Sequence, residues 1–312
     1  MMDNELLGLH HITAIASHAK RNLDFYTGVL GQRLVKKTVN FDDPQTYHFY
    51  FGNETGEPGT ILTFFPWEKM GKGKTGTGLA TQIGYTVPAS SFAFWIDRFK
   101  QFNVIQESVT ESFGEQCLSF QDPDGLSIKL IVPKKIDDRK PWETNDVKAD
   151  TATRGIHSVE LTLKNIQPTV EILTDILGYQ LLEQQDDRYR FVTTTIETAA
   201  IIDIIEAPGA SRGILSAGII HHIAFRVKDE VTQMNLREKI ETKGLNITGK
   251  INRDYFYSVY FREPGGVLFE IATNNPGFTT DESVETLGSS LRLPKRYEHD
   301  RQTIEKILPA LS

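Results

Sequence analysis

An internal repeat constrains the fold of this chain more than any other feature of its 312 residues. Four strand-like runs open with a similar phrase, at intervals of roughly 60 to 80 residues that are typical of repeated supersecondary units. A stretch with the apolar spacing of a helix follows each opening, and two or three further strand-like runs close each unit. We number these units segments one to four, and their opening phrases are Gly8-Leu-His-His-Ile-Thr-Ala-Ile, Gly78-Leu-Ala-Thr-Gln-Ile-Gly-Tyr-Thr-Val, Gly155-Ile-His-Ser-Val-Glu-Leu-Thr-Leu and Gly218-Ile-Ile-His-His-Ile-Ala-Phe-Arg-Val.

The order of elements within a segment indicates how the segments combine. Each segment is predicted to contain a strand, a helix and then several strands. One such unit cannot bury both faces of its own sheet, so we expect the segments to pair. The helices are predicted at 19–30, 90–102, 169–177 and 231–243.

The polar stretch 137–153 follows neither a helix nor a strand period, which indicates a linker between two halves. The repeat ends near residue 274, and the charged remainder is predicted to finish in a short helix. We therefore predict an α+β protein with a first domain at 1–136, a second domain at 154–276 and a C-terminal extension at 277–312.

Composition excludes several classes of function. The net charge of −7 does not provide the basic surface of a nucleic-acid-binding protein. No run of 18 apolar residues exists, so we expect no membrane-spanning helix, and the acidic Asp3 and Glu5 argue against a secretory signal. The single cysteine, Cys117, excludes an internal disulfide and multi-cysteine metal sites. We expect a cytoplasmic protein in which His, Asp and Glu would have to hold any metal.

Superposing the four segments by their apolar alternation places metal-binding residue types at equivalent positions. Only segment four carries both a histidine and a glutamate there, His222 and Glu270, and only segment one offers a second histidine, His11. Two histidines and one carboxylate hold one face of Fe(II) and leave other positions open, and Mn(II) accepts the same ligand types. In this alignment His222 matches His11, Gln82 and Ser158, and Glu270 matches Phe64, Lys129 and Asp203.

The competing interpretation is that these are polar strand residues hydrogen-bonded near the core, as single histidines often are. Two His-His pairs at equivalent positions favour a metal site. So does Glu270 on the apolar run Val-Leu-Phe-Glu-Ile, because an unpaired buried carboxylate is costly.

The matching phrases extend from residue 8 to about 270, and through them the chain resembles the vicinal-oxygen-chelate superfamily of glyoxalase, bleomycin-resistance and extradiol dioxygenase relatives. More closely, it resembles the hydroquinone-type ring-cleaving dioxygenases. The phrases are Leu9-His-His-Ile-Thr, Gly28-Val-Leu-Gly-Gln-Arg-Leu-Val-Lys-Lys-Thr, Tyr47-His-Phe-Tyr-Phe-Gly, Gly59-Thr-Ile-Leu-Thr-Phe-Phe-Pro, Gly218-Ile-Ile-His-His, Asn252-Arg-Asp-Tyr-Phe-Tyr-Ser-Val-Tyr and Pro264-Gly-Gly-Val-Leu-Phe-Glu.

This resemblance implies four βαβββ modules that form two vicinal-oxygen-chelate domains, with Fe(II) held by His11, His222 and Glu270. Segments one and four would then both reach the metal, and segments two and three would form a metal-free half. His157, which is close to the ligand position but in the wrong strand phase, is expected to be structural. The residues expected to surround the ligands and to act in catalysis are His10, Thr13, His221, Arg253 and Tyr260.

The implied activity is Fe(II)-dependent ring cleavage of a hydroquinone or catechol with O2, in the detoxification of aromatic compounds or quinones. The expected partners are the small aromatic substrate and O2, and the chain could form a homo-oligomer. One alternative is a glyoxalase-like isomerase, whose metal usually has four protein ligands, and Phe64 stands where the fourth is expected. The other is a metal-free binding protein of the same fold.

Overall fold

Two eight-stranded sheets dominate residues 6–312, the part of the chain that this computed structural model describes. β-branched and aromatic residues are frequent in the strands, as expected for half-buried sheet positions. The strands are β1 (Leu6–Ala16), β2 (Arg33–Val39), β3 (Tyr47–Gly52), β4 (Ile61–Pro66), β5 (Leu79–Thr86), β6 (Thr110–Ser112), β7 (Glu115–Gln121), β8 (Ser127–Val132), β9 (Gly155–Leu163), β10 (Gln180–Gln185), β11 (Arg188–Val192), β12 (Ile201–Glu206), β13 (Ile220–Val227), β14 (Ile251–Asn252), β15 (Phe256–Arg262) and β16 (Leu268–Pro276).

Each sheet combines one segment from each half of the chain. The first sheet has the order β14-β15-β16-β13-β1-β4-β3-β2 and joins segments one and four. The second sheet has the order β10-β11-β12-β9-β5-β8-β7-β6 and joins segments two and three. The opening strands of the two segments pair antiparallel at the centre of each sheet. The expected pairing of segments is therefore confirmed, and the candidate ligands all lie in the first sheet.

Five α-helices lie in the described chain, and the first four occur where the sequence predicts them. The first and third continue into a wider π-helical turn, at Phe25–Val29 and Ile172–Ile176, and this widening was not predicted. The predicted C-terminal helix is also present. The helices are α1 (Ala19–Asp24), α2 (Phe92–Gln101), α3 (Gln167–Glu171), α4 (Glu230–Thr242) and α5 (Arg301–Ile307). None is long and apolar enough to cross a membrane.

Irregularities interrupt the central pairing of the first sheet at three points, two of which involve a histidine. Between successive partners of β1 and β13, His10 is the extra residue on one strand and His221 the extra residue on the other. Thr81 and His157 are the corresponding extra residues in the second sheet. An inserted residue breaks the strict alternation of side chains, so adjacent histidines in the first sheet can approach one another.

The C-terminal extension closes the open side of the first sheet. Buried Phe278 belongs to a small aromatic and aliphatic cluster that is separate from the main core and includes Tyr50 and Phe256. The ammonium group of Lys36, on edge strand β2, forms a salt bridge with the buried carboxylate of Glu282. The extension is thus attached to the edge of the sheet by both apolar and ionic contacts.

The predicted linker at 137–153 contains no helix or strand, but it is held firmly. The guanidinium group of Arg139 pairs with Asp137 at 2.6 Å and donates to the carbonyls of Gly59 and Ile156 at 2.8 and 3.0 Å. Gly59 lies in the turn before β4 of the first sheet and Ile156 on β9 of the second, so the linker connects the two sheets.

Candidate metal centre

Three buried donor groups converge on the concave side of the first sheet. His11 lies on β1, His222 on β13 and Glu270 on β16, which are three adjacent strands at the centre of the sheet. One nitrogen of each imidazole and one carboxylate oxygen lie within 4.8 Å of one another, and all three residues are buried. Within residues 6–312, this is the one such group of His, Cys, Asp and Glu side chains.

The Glu270 carboxylate supports a cation at this point. Its Oε1 accepts a hydrogen bond from the Ser258 hydroxyl. Its Oε2 lies 2.9 Å from His222 Nε2 and 3.3 Å from His11 Nε2, but neither contact has hydrogen-bond geometry and Oε2 is buried without a partner. A buried acceptor that faces two ring nitrogens is unfavourable unless a cation or protons lie between them. The donor set therefore fits a divalent metal.

Each of the two candidate histidine ligands contacts a second histidine, its neighbour in the sequence. His10 Nδ1 lies 2.9 Å from His11 Nδ1, and His221 Nδ1 lies 2.7 Å from His222 Nδ1. When Nε2 of a ligand histidine binds a metal, its proton is on Nδ1, so the ligand donates and the second histidine accepts. Such a hydrogen bond fixes the tautomer and the orientation of a metal-ligating ring.

The pKa values of these side chains favour metal binding. Burial lowers the pKa of His222, and burial together with the neighbouring His222 lowers the pKa of His221 to about 3. Burial alone would raise the pKa of Glu270, but the adjacent His11 and His222 side chains outweigh it and hold that pKa well below its usual range. Neutral imidazoles and an ionised carboxylate are the protonation states that a metal requires.

A cavity of about 330 Å³ is lined by two of the candidate ligands, His11 and His222. A cavity of this size, with several aromatic walls and a few polar groups, is typical of small-molecule sites. Its aromatic walls include Phe41, Phe65, Trp67 and Phe256. Ring centroids place Phe256 5.0 Å from His11, so an apolar side chain also covers one ligand.

The structure brings four of the five expected catalytic residues to this cavity: Thr13, His221, Arg253 and Tyr260. The fifth, His10, is buried and does not line it. Arg253 Nε donates to the Tyr260 hydroxyl at 3.1 Å, and the Tyr260 ring lies 5.7 Å from that of His222. Burial raises the pKa of Tyr260, so its hydroxyl keeps its proton.

The register of the sheet corrects one predicted alignment. Glu270 pairs with the residue two places after His222, and Thr63 pairs with the residue two places after His11. Thr63, not Phe64, is therefore the segment-one counterpart of Glu270. Phe64 is fully buried in the apolar core on the other side of the strand. The position at which an isomerase would have a carboxylate as its fourth protein ligand is thus occupied by a hydroxyl.

Segment one provides polar residues that the sequence analysis did not assign to the site. The Thr63 hydroxyl lies 2.8 Å from that of Thr13 and 2.9 Å from His48 Nε2, and His48 Nδ1 lies 2.9 Å from the Tyr50 hydroxyl. His48 and Tyr50 both line the cavity. On β15, Ser258, which holds Glu270, was also missed. Alternation along β15 with Tyr260 could have indicated it.

The second sheet carries an ionic network where the first carries the candidate ligands. Lys129 has the position of Glu270, as the sequence alignment predicts, and its Nζ lies 3.9 Å from the carboxylates of both Glu160 and Asp203. Arg190 donates two hydrogen bonds to Asp203, at 2.8 and 2.9 Å. Protein cations thus balance the buried carboxylates of this half. His157 joins the same network through Glu115, at 3.2 Å, as expected for a structural residue.

Comparisons with known proteins agree with this architecture. A model described as "Glyoxalase/Bleomycin resistance protein/Dioxygenase superfamily" matches residues 8–130 and 155–271. MhqO of Bacillus subtilis (strain 168), whose name describes a ring-cleaving dioxygenase, is 43% identical over 309 residues, which is 99% of this chain and 98% of that protein. The chlorohydroquinone/hydroquinone 1,2-dioxygenase of Sphingobium indicum is 36% identical over 299 residues, which is 93% of this chain and 92% of that protein.

Among solved structures, that of a Bacillus subtilis protein designated a dioxygenase superposes with a TM-score of 0.95 at 41% identity. The superposition covers 99% of this chain and 98% of that protein's chain. Both the fold and nearly the whole length of the sequence are therefore shared with these relatives. The chain belongs to the glyoxalase, bleomycin resistance protein and dioxygenase superfamily.

Proposed function

We propose that this protein is an Fe(II)-dependent dioxygenase that cleaves the ring of hydroquinones or catechols. The observation that carries the proposal is the buried group of two imidazoles and one carboxylate, His11, His222 and Glu270, at the end of an aromatic-walled cavity. The names of the relatives at 36% and 43% identity support the reaction class. Cleavage of a hydroquinone also removes the precursor of a reactive quinone, which agrees with a role in detoxification.

The ligand set favours Fe(II) over the metal of an isomerase. Two histidines and one carboxylate leave several coordination positions for substrate and oxygen. A glyoxalase-like isomerase needs a fourth protein ligand, and at that position Thr63 offers a hydroxyl already engaged by Thr13 and His48. When bound, Fe(II) supplies Lewis-acid activation of the phenol and holds the two reactants together. Mn(II) could occupy the same ligands.

Tyr260 and Arg253 are proposed to act as donors toward the reacting oxygen atoms. Arg253 donates to the Tyr260 oxygen, which leaves the phenolic proton of Tyr260 directed elsewhere. Asp42 holds the other side of the guanidinium group at 3.0 Å. Fixed donors in a cavity shielded from water stabilise developing negative charge without reorganisation.

His221 and His10 have the same relation to a ligand but different surroundings. With Nδ1 accepting from its neighbour, each carries its remaining proton on Nε2. A backbone hydrogen bond at Thr273 engages His10, whereas His221 lines the cavity. We therefore propose that His221 donates a hydrogen bond to a substrate oxygen and that His10 orients His11.

The experiment is oxygen uptake by protein loaded with Fe(II) under anaerobic conditions and then given methylhydroquinone or catechol in aerated buffer. We expect uptake and a new ring-opened chromophore with at least one substrate. His11→Ala should abolish both, whereas Gln82→Ala, the same position in the second sheet, should retain them. Absence of uptake from protein that holds one iron per chain would refute the proposal.

A further inference from the structure

A short loop after the edge strand β2 forms part of the cavity wall. This loop, residues 40–46, contributes Asn40, Phe41 and Asp42 to the cavity. Strand β2 lies three strands from β1 in the sheet, about 14 Å along it at the usual strand spacing. The loop and the candidate histidine ligands line the same cavity, and the curl of the sheet brings Asp42 to Arg253 on the opposite edge at 3.0 Å.

The amide group of Asn40 has a defined orientation. Its Oδ1 accepts hydrogen bonds from the backbone N–H groups of Asp42 and Asp43, at 2.9 and 3.3 Å. Because only the oxygen of an amide can accept, Nδ2 must be on the other side. Asn40 is 7% exposed, and no described residue accepts a hydrogen bond from its Nδ2. The Nδ2 atom itself is not fully enclosed, so it can donate to a ligand acceptor in the cavity that Asn40 lines.

The loop that carries Asn40 is held from several directions. Arg296 and Tyr297, in the C-terminal extension, both donate to the carbonyl oxygen of Phe41 at 2.9 Å. Trp67 Nε1 donates to Asp43 Oδ2 at 2.9 Å. The amide is therefore prepositioned before a ligand arrives, which reduces the entropic cost of binding.

We propose that Asn40 Nδ2 donates a hydrogen bond to the substrate oxygen that is remote from the metal, and so selects para-dihydroxybenzenes. This inference rests on the proposed function. The two oxygens of an ortho diol can both lie at the metal, whereas the para diol must bury its second oxygen in the cavity. A cavity with a fixed donor at that point favours the ring that supplies an acceptor over one that does not.

The test compares three phenols that differ only at the para position. Phenol has no remote oxygen, 4-methoxyphenol has one that only accepts, and hydroquinone has one that both donates and accepts. Their dissociation constants are measured by calorimetry on Fe(II)-loaded protein under argon, so that no turnover is required. For wild type we expect hydroquinone and 4-methoxyphenol to bind about 3- to 10-fold more tightly than phenol, the effect of one net hydrogen bond.

Asn40→Asp retains the oxygen that accepts from the loop backbone and replaces only the donor. We expect this variant to bind 4-methoxyphenol no more tightly than phenol, because a carboxylate cannot donate to an ether oxygen. Hydroquinone should keep its advantage because its own hydroxyl donates to the new carboxylate. Thr46→Val, which removes a 2.8 Å hydrogen bond to Asp43 in the same loop, should keep the wild-type order.

An unchanged order of the three ligands in Asn40→Asp would overturn the role of Asn40 and leave the proposed function intact. The same conclusion follows if Thr46→Val changes the order in the same way as Asn40→Asp. If none of the three phenols binds to the iron-loaded protein, both the inference and the proposed function fail.

Discussion

Ser258 provides a sharp test of the candidate metal centre, because it touches the carboxylate and not the metal. Its hydroxyl donates to Glu270 Oε1, while Oε2 faces the two imidazoles. Ser258→Ala removes one atom from a fully buried position and leaves Glu270 free to rotate. We expect the variant to fold and to bind metal more weakly.

The size of the effect follows from when the hydrogen bond is made. Loss of a hydrogen bond that orients a ligand typically weakens metal binding by about 10- to 100-fold. Ser258 can donate to Glu270 Oε1 with or without a metal at Oε2, so part of that loss is common to both states. We therefore expect the lower end, about 10-fold or 1.4 kcal/mol.

The assay is anaerobic competition for Fe(II) against a chromophoric chelator. Ser158→Ala is the matched control, since Ser158 is also fully buried and stands in the second sheet at the position of His222, with no hydrogen-bond partner for its hydroxyl. Its metal affinity should equal that of wild type. An affinity of Ser258→Ala within twofold of wild type would show that Glu270 does not hold the metal in this orientation.

Further predictions concern pH, stability and turnover. Burial raises the pKa of Asp122 from 3.8 to about 7. Between pH 4 and 7 the folded state therefore keeps a proton that the unfolded chain has lost, and stability falls as the pH rises. The melting temperature of Asp122→Asn should fall less over this range than that of wild type, and an equal fall would contradict the raised pKa. Lys36→Met leaves the buried carboxylate of Glu282 without its ammonium partner and should lower the free energy of unfolding in urea by about 3–5 kcal/mol. Lys37→Met, which changes the partly exposed neighbouring residue, should not cause a loss of this size. Tyr260→Phe should reduce kcat for oxygen uptake by about 100-fold with little change in KM, as expected for a lost proton donor; an unchanged kcat removes Tyr260 from the chemistry.

The sequence was sufficient to identify the candidate ligands because repetition and strand alternation act together. Two segments with the same opening phrase place His11 and His222 at matching points on strands that pair. The glutamate on an otherwise apolar strand then has one favourable environment, beside them. The helices were predictable for a related reason, since their apolar spacing is local.

What the sequence did not reveal depends on contacts between distant strands. The extra residues His10 and His221 appear only when β1 and β13 are placed side by side, because an irregularity is a property of a strand pair. The one-residue error at Phe64 has the same cause. The sequence alone permits either Thr63 or Phe64 as the counterpart of Glu270, and the pairing of β1 with β4 decides for Thr63. Asn40 follows its strand in a loop that has no counterpart in the repeat. The predicted domain limits at 136 and 154 stay predictions.

The pairing of segment one with segment four also determines when the three candidate ligands can come together during synthesis. The first ligand leaves the ribosome early, and its partner strands follow only after roughly two hundred further residues, a very non-local contact for a folding chain. Segments two and three can complete the second sheet in the meantime, because their strands are consecutive along the chain. A nascent chain that stops before residue 270 lacks Glu270, one of the three candidate ligands, so we expect the proposed centre to form only after segment four is complete.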